Sequence, residues 1–180
     1  VLRPAREGGF DVVGALARSS LVDALDGEAS EDIHRSLAMS LLAHGQVFAA
    51  APHLLLSSGR PELVVRNVAA AARQAVSAGM FAEAAALLDQ AIQRHRQHVG
   101  CLDEVALQLM LDRAESLRRA GDPGYLDVVW EVVELSKRAQ FHTVYALAAA
   151  ALCKLGPLTD AGVLDEQVVE TVADALARCE

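Results

Sequence analysis

Residues 67–96, NVAAAARQAVSAGMFAEAAALLDQAIQRHR, decide the fold. Val68, Ala71, Ala72, Ala75 and Val76 recur at three- and four-residue steps, which puts them on one face of a helix. Phe81, Ala84, Leu87, Leu88, Ala91 and Ile92 repeat that pattern after Ala78-Gly79. Gly79 stands where the first helix must stop, because the left-handed conformation that closes a helix costs glycine least. Small residues at Ala72, Ala84 and Ala91 let the two helices approach closely. The stretch reads as an antiparallel helical hairpin.

The spacing resembles the tetratricopeptide pattern. A small residue stands seven before the turn glycine, an aromatic two after it, and alanines five and twelve after it. Here these are Ala72, Gly79, Phe81, Ala84 and Ala91. The bulky aromatics of the pattern's first helix and its closing proline are missing, so the unit is a degenerate one.

Composition points the same way. Hydrophobic residues make up 53% of 180 and aromatics 4%, which suits helices packed on small side chains and disfavours a β-sandwich. A net charge of −8 is the wrong sign for a duplex-DNA reader. Cys101, Cys153 and Cys179 are odd in number and widely spaced within helical patterns, unlike a secreted disulfide framework; reduced thiols in a cytoplasmic protein are expected. The most apolar run, Val144 to Cys153, is ten residues, about half of a membrane span. The chain has no leader pattern or starting Met and stops mid-pattern at Glu180, which reads as a piece of a longer protein.

Outward from the central hairpin, the same unit recurs. Val1 to Gly9 is polar, and Phe10 to Val13 could form a short strand. Leu16, Leu21, Val22 and Leu25 fall at helical steps until Asp26-Gly27-Glu28. Ser30 is the expected N-cap of a helix bearing Ile33, Leu37, Ala38, Leu41 and Leu42 and ending at His44-Gly45. Val47 to Leu55 forms its partner, with Pro52 expected near that helix's first turn. Leu107, Met110, Leu111, Ala114 and Leu117 make one stripe of a third unit, and Leu102, Val105, Ala106 and Leu109 another. Gly121 closes that helix, and Leu126 to Val133 return, with Glu134 and Arg138 set for an i,i+4 pair. Val144 to Leu155 is so apolar that burial is expected throughout, up to Gly156-Pro157. Leu164 to Leu176 complete a fourth pair. Gly45 to Gly79 is 34 residues, Gly79 to Gly121 is 42 and Gly121 to Gly156 is 35, near the repeat period. The expected fold is all-α, stacked antiparallel helical hairpins in a right-handed tetratricopeptide-like solenoid over residues 30–180, stabilised by stacking.

A wider resemblance covers about half of the chain. Phe10-Val12, Leu21-Val22-Asp23-Ala24-Leu25, His34-Arg35-Ser36-Leu37-Ala38, His53-Leu54-Leu55 and Gly79-Met80-Phe81-Ala82-Glu83-Ala84 occur in the order found where the helical array begins in large ATP-binding transcription regulators of the LuxR type and related signal-transduction NTPases. The resemblance implies that residues 1–29 are the tail of a winged-helix-like element, or an N-terminal helix. It also implies that His34 and His53 are structural, bridging or capping neighbouring helices. ATP and magnesium would belong to a parent ATPase module, which some proteins with this middle region replace by a nucleotide cyclase; no GxxxxGK[ST] occurs here, and no cofactor is expected in this segment.

Candidate chemistry is sparse. His95, His98 and Cys101 stand at three-residue steps, but Val99-Gly100 should end the helix before they converge, so they read as a solvated helix end rather than a metal site. His44, just before a turn glycine, suits the negative end of a helix dipole. No cysteine has a His and an acid nearby to make it a nucleophile. Glu131 and Glu134 read as solvated. No covalent chemistry is expected. Counting back equally from Gly45, Gly79 and Gly121 puts Arg35, Arg66, Arg73, Gln108, Glu115, Arg118 and Arg119 on the concave face. An arginine-rich groove suits a carboxylate-bearing peptide or phosphorylated ligand, against the plainer reading of surface arginines paired with nearby acids. The expected role is a sensor or interaction arm binding a protein or small effector, homo-oligomers left open, with no nucleic-acid or membrane contact. The alternative is a stand-alone adaptor between two proteins.

Overall fold

A computed structural model describes residues 2–4, 10–12, 27–57, 60–155 and 166–178. Two short strands, β1 (Leu2–Pro4) and β2 (Phe10–Val12), form an antiparallel ribbon with Arg3 opposite Asp11. Eight helices follow among the described residues: α1 (Gly27–Ala43), α2 (Val47–Leu56), α3 (Pro61–Ser77), α4 (Phe81–Val99), α5 (Glu104–Ala120), α6 (Tyr125–Ala139), α7 (His142–Leu155) and α8 (Glu166–Ala177). Each packs on the next in the chain. Weaker contacts of α2 with α4 and of α5 with α7 stack one hairpin on another. The expected helix over Val13–Leu25 and the turn at Gly156 lie outside the described residues.

The reversals share one construction. Gly45, Gly79 and Gly121 sit at φ +72°, +78° and +78°. Their N–H groups donate to the carbonyls of Leu42, Val76 and Arg118, and the following N–H groups of Gln46, Met80 and Asp122 donate to Leu41, Ala75 and Leu117. These paired bonds satisfy carbonyls that a helix end leaves orphaned. Between α6 and α7 the left-handed residue is Gln140, at φ +61°, with the same pair of bonds to Lys137 and Ser136. The 42-residue spacing arises because α4 runs 19 residues and a short loop from Gly100 to Asp103 separates it from α5.

Alanine dominates the contacts. Ala71, Ala75, Ala84, Ala91 and Ala114 are fully buried between helices, with Val64, Val68, Leu88, Leu107, Val129 and Val132 filling the spaces beside them. A side chain of one carbon lets two backbones approach, so the core extends along the stack.

Several sequence expectations are corrected. Ser30 is not an N-cap: α1 begins at Gly27, with Glu28 in its first turn at the positive end of the helix dipole. Pro52 lies in the second turn of α2 and is exposed, and it cannot donate to the Phe48 carbonyl four residues before it. Val105 is half exposed, so α5 is less fully enclosed than its two stripes imply. On α7, Val144, Tyr145, Ala148, Ala149 and Leu152 are buried, but Leu147 and Cys153 are exposed, because among the described residues the helix packs mainly on α6 and α8 and more weakly on α5. No ion pair joins Glu134 to Arg138. Lys137 instead reaches Asp174 at 2.9 Å, where Arg178 (3.0 Å) and the Tyr145 hydroxyl (2.8 Å) also converge, tying α8 to α6 and α7. No described helix is long and apolar enough to cross a membrane.

A Cβ at Gly79 would meet nothing within 4 Å, so the cost of substitution there is purely one of backbone conformation. Gly79→Ala is expected to lower stability by about 1 kcal/mol, and Gln140→Gly to leave it unchanged or raise it slightly, both read by urea denaturation.

Candidate functional site

The first helices of the second and third hairpins, α3 and α5, flank a groove floored by α4. Ala72, Arg73, Val76 and Ser77 line it from α3, Leu88 from α4, and Asp112, Glu115 and Ser116 from α5, enclosing about 320 Å³. Helical geometry places these groups. Ala72 is buried against the neighbouring helix, which turns the next residue, Arg73, outward. Asp112, Glu115 and Ser116 follow at i, i+3 and i+4, and so share one face of α5.

The expected groove residues separate into engaged and unengaged charges. Glu115 accepts from Arg118 at 2.9 and 3.0 Å and from Arg119 at 2.6 Å. The Arg118 bond, helped by Arg119 and opposed by partial burial, holds its carboxyl at about 2. Arg119 also lies 5.8 Å from the centre of the Phe81 ring, against the start of α4. Arg35 pairs with Asp32 on α1, away from the groove lining. Gln108 donates to Asp112 at 3.4 Å. Arg66 and Arg73 enter no ion pair among the described residues, and both are exposed. Arg73 and Glu115 therefore share the groove; Gln108, Arg118 and Arg119 adjoin it through those bonds.

Asp112 was not singled out from the sequence, although it lies three residues before Glu115 in the same register. It is partly buried, and burial pushes its carboxyl above the usual range, with the Gln108 amide and the Arg73 charge pulling the other way.

The histidines are structural in geometry. His95 is buried, not solvated as the sequence pattern implies. Its Nε2 lies 2.8 Å from Asp103, whose same oxygen accepts from the Ala106 N–H at 2.9 Å and caps α5. Burial of Asp103 works against ionisation, but these two bonds outweigh it and lower its pKa. His98 points to Glu62 on α3 at 3.2 Å, and Cys101 is exposed in the loop after α4. The three do not converge, and no group of three His, Cys, Asp or Glu side chains suited to a metal occurs among the described residues. His34 and His53 bridge α1 and α2, with Nδ1 atoms 2.8 Å apart and rings stacked at 5.1 Å. His44 Nδ1 lies 2.8 Å from the Ser40 carbonyl at the end of α1.

No protein-family model matches the chain, and no relative matches among the curated proteins. Among solved structures, a candidate kinesin light chain of Podosopora anserina with nearly identical TPR-like repeats is similar over 92% of this chain and 84% of that one, at 18% identity and a TM-score of 0.46. The stacked-hairpin architecture rests on the helices and reversals described above.

Glu115 has its folded pKa below its unfolded one. Its ion pairs therefore stabilise the fold fully above about pH 4.5 and progressively less as pH falls toward 2. Over a third of its side chain is exposed, so solvent damps the effect. Glu115→Gln is expected to flatten the acid limb of a melting temperature against pH plot in that window, and to leave the neutral limb nearly parallel to wild type.

Proposed function

We propose that this chain is the non-catalytic sensor or interaction arm of a multidomain ATP-binding transcription regulator of the LuxR type, and that a partner protein or small effector docks on the groove between α3 and α5. The observation that carries the reading is the groove itself. It is lined by first helices of successive hairpins, open to solvent, apolar at its base and charged along its rims. Such a surface suits recognition of a partner or small effector, which supports the interaction reading.

The resemblance supports the regulator context. The His-x-x-Leu-Ala and His-Leu-Leu segments sit on α1 and α2 with their histidines facing each other, and the Gly-Met-Phe-Ala-Glu-Ala segment forms the α3–α4 reversal. The antiparallel pair of β1 and β2 suits the end of a winged-helix element. In the mechanism, a ligand that binds one arrangement of the parent's modules more tightly than another shifts their equilibrium by that difference in affinity.

The reading frame around this segment supplies the first test. A phosphate-binding GxxxxGK[ST] loop before residue 1 and a basic helix-turn-helix after residue 180 are expected. In that longer protein, deleting residues 30–178 should abolish the effector dependence of ATP hydrolysis. A frame lacking the phosphate-binding loop would contradict the regulator reading and favour a stand-alone adaptor.

A further inference from the structure

We propose that the groove between α3 and α5 receives a lysine side chain from an extended basic segment of a partner protein, with Asp112 as its counter-charge. The inference rests on the interaction-arm reading above and names the chemistry of the partner.

Comparison of the carboxylates makes the case. Five are partly buried among the described residues: Asp89, Asp103, Asp112, Glu115 and Asp174. Four of them already hold a basic side chain. Arg113 lies 3.3 Å from Asp89, His95 2.8 Å from Asp103, Arg118 2.9 Å from Glu115 and Lys137 2.9 Å from Asp174. Asp112 holds only a neutral amide, that of Gln108, at a long 3.4 Å. With Arg73 near enough to act on it but not in contact, Asp112 is a partly desolvated carboxylate lacking a paired cation, and an incoming ammonium would offset that penalty.

The walls fit the rest of such a side chain. Ala72, Val76 and Leu88 present hydrocarbon beside Asp112, which suits the methylene stem of a lysine whose charged end reaches the carboxylate. At longer range, the chain's net charge of −8 attracts a basic segment. Three of the five arginines expected to draw an acidic ligand are committed elsewhere, Arg118 and Arg119 to Glu115 and Arg35 to Asp32, which leaves Arg66 and Arg73 without an ion pair. Arg73, across the groove, forms no ion pair with Asp112 and competes with the incoming cation rather than assisting it.

The test is fluorescence anisotropy of the full 180-residue chain with a short fluorescein-labelled lysine peptide in a glycine-serine background. Norleucine and glutamate versions separate stem from charge. The lysine peptide is expected to bind at least about tenfold more tightly than either. Asp112→Asn should lose about tenfold while its melting temperature stays unchanged or rises, because burial penalises a neutral amide less. Arg73→Ala should tighten binding, and Ser77→Lys, which supplies the cation internally, should block it. Failure of the lysine peptide to bind, equal binding to Asp112→Asn, or preference for the glutamate peptide would overturn the proposal. The interaction-arm reading is judged separately, by the reading frame and by ATP hydrolysis in the longer protein.

Discussion

Close approach of neighbouring helices on alanine is the constraint from which the rest of the structure follows. Ala72 and Ala75 on α3, Ala84 and Ala91 on α4, and Ala106 and Ala114 on α5 are all buried, and side chains of one carbon leave room for backbones between the packed helices. A helix pair of this kind cannot enclose its own apolar surface, so each needs the next hairpin. Reversals at a shared left-handed residue repeat the same turn, and stacking sets one hairpin on the next. The groove between α3 and α5 is a consequence of that arrangement. Its floor is the helix that both flanking helices pack against.

Much of the fold was legible because its signals are local. Helical periodicity and glycine at a reversal are properties of a few adjacent residues, and Gly45, Gly79 and Gly121 all lie where the apolar stripes break. The reversal at Gln140 carried no glycine, yet the apolar pattern still broke near Phe141. What misled was burial inferred from composition. The Ala- and Leu-rich α7 looks enclosed in sequence, but enclosure depends on which neighbours are present, and Leu147 remains exposed at 47%, as does Leu176 on α8. His95 erred in the opposite direction. Its burial depends on Asp103, eight residues on, folding back as the cap of α5.

The groove was half legible for the same reason. Register counted from the turn glycines found Arg73 and Glu115, because equal spacing along first helices maps to one side of the stack. It could not say which arginines were already neutralised. Glu115 takes Arg118 and Arg119 through i,i+3 and i,i+4 contacts on its own helix, which leaves Arg73 and the partly buried Asp112 as the groove charges without an ion pair. Asp112 emerges only when the depth of the groove, and not just its register, is known.

The central claim, that alanine-lined contact sets the fold, is tested most directly by enlarging one contact residue. Ala84 is fully buried, whereas Ala86, two residues on along α4, is exposed. Chemical denaturation of Ala84→Leu beside Ala86→Leu should show the first destabilised by roughly 1–3 kcal/mol and the second within about 0.5 kcal/mol of wild type. Equal stability of the two variants would contradict the account.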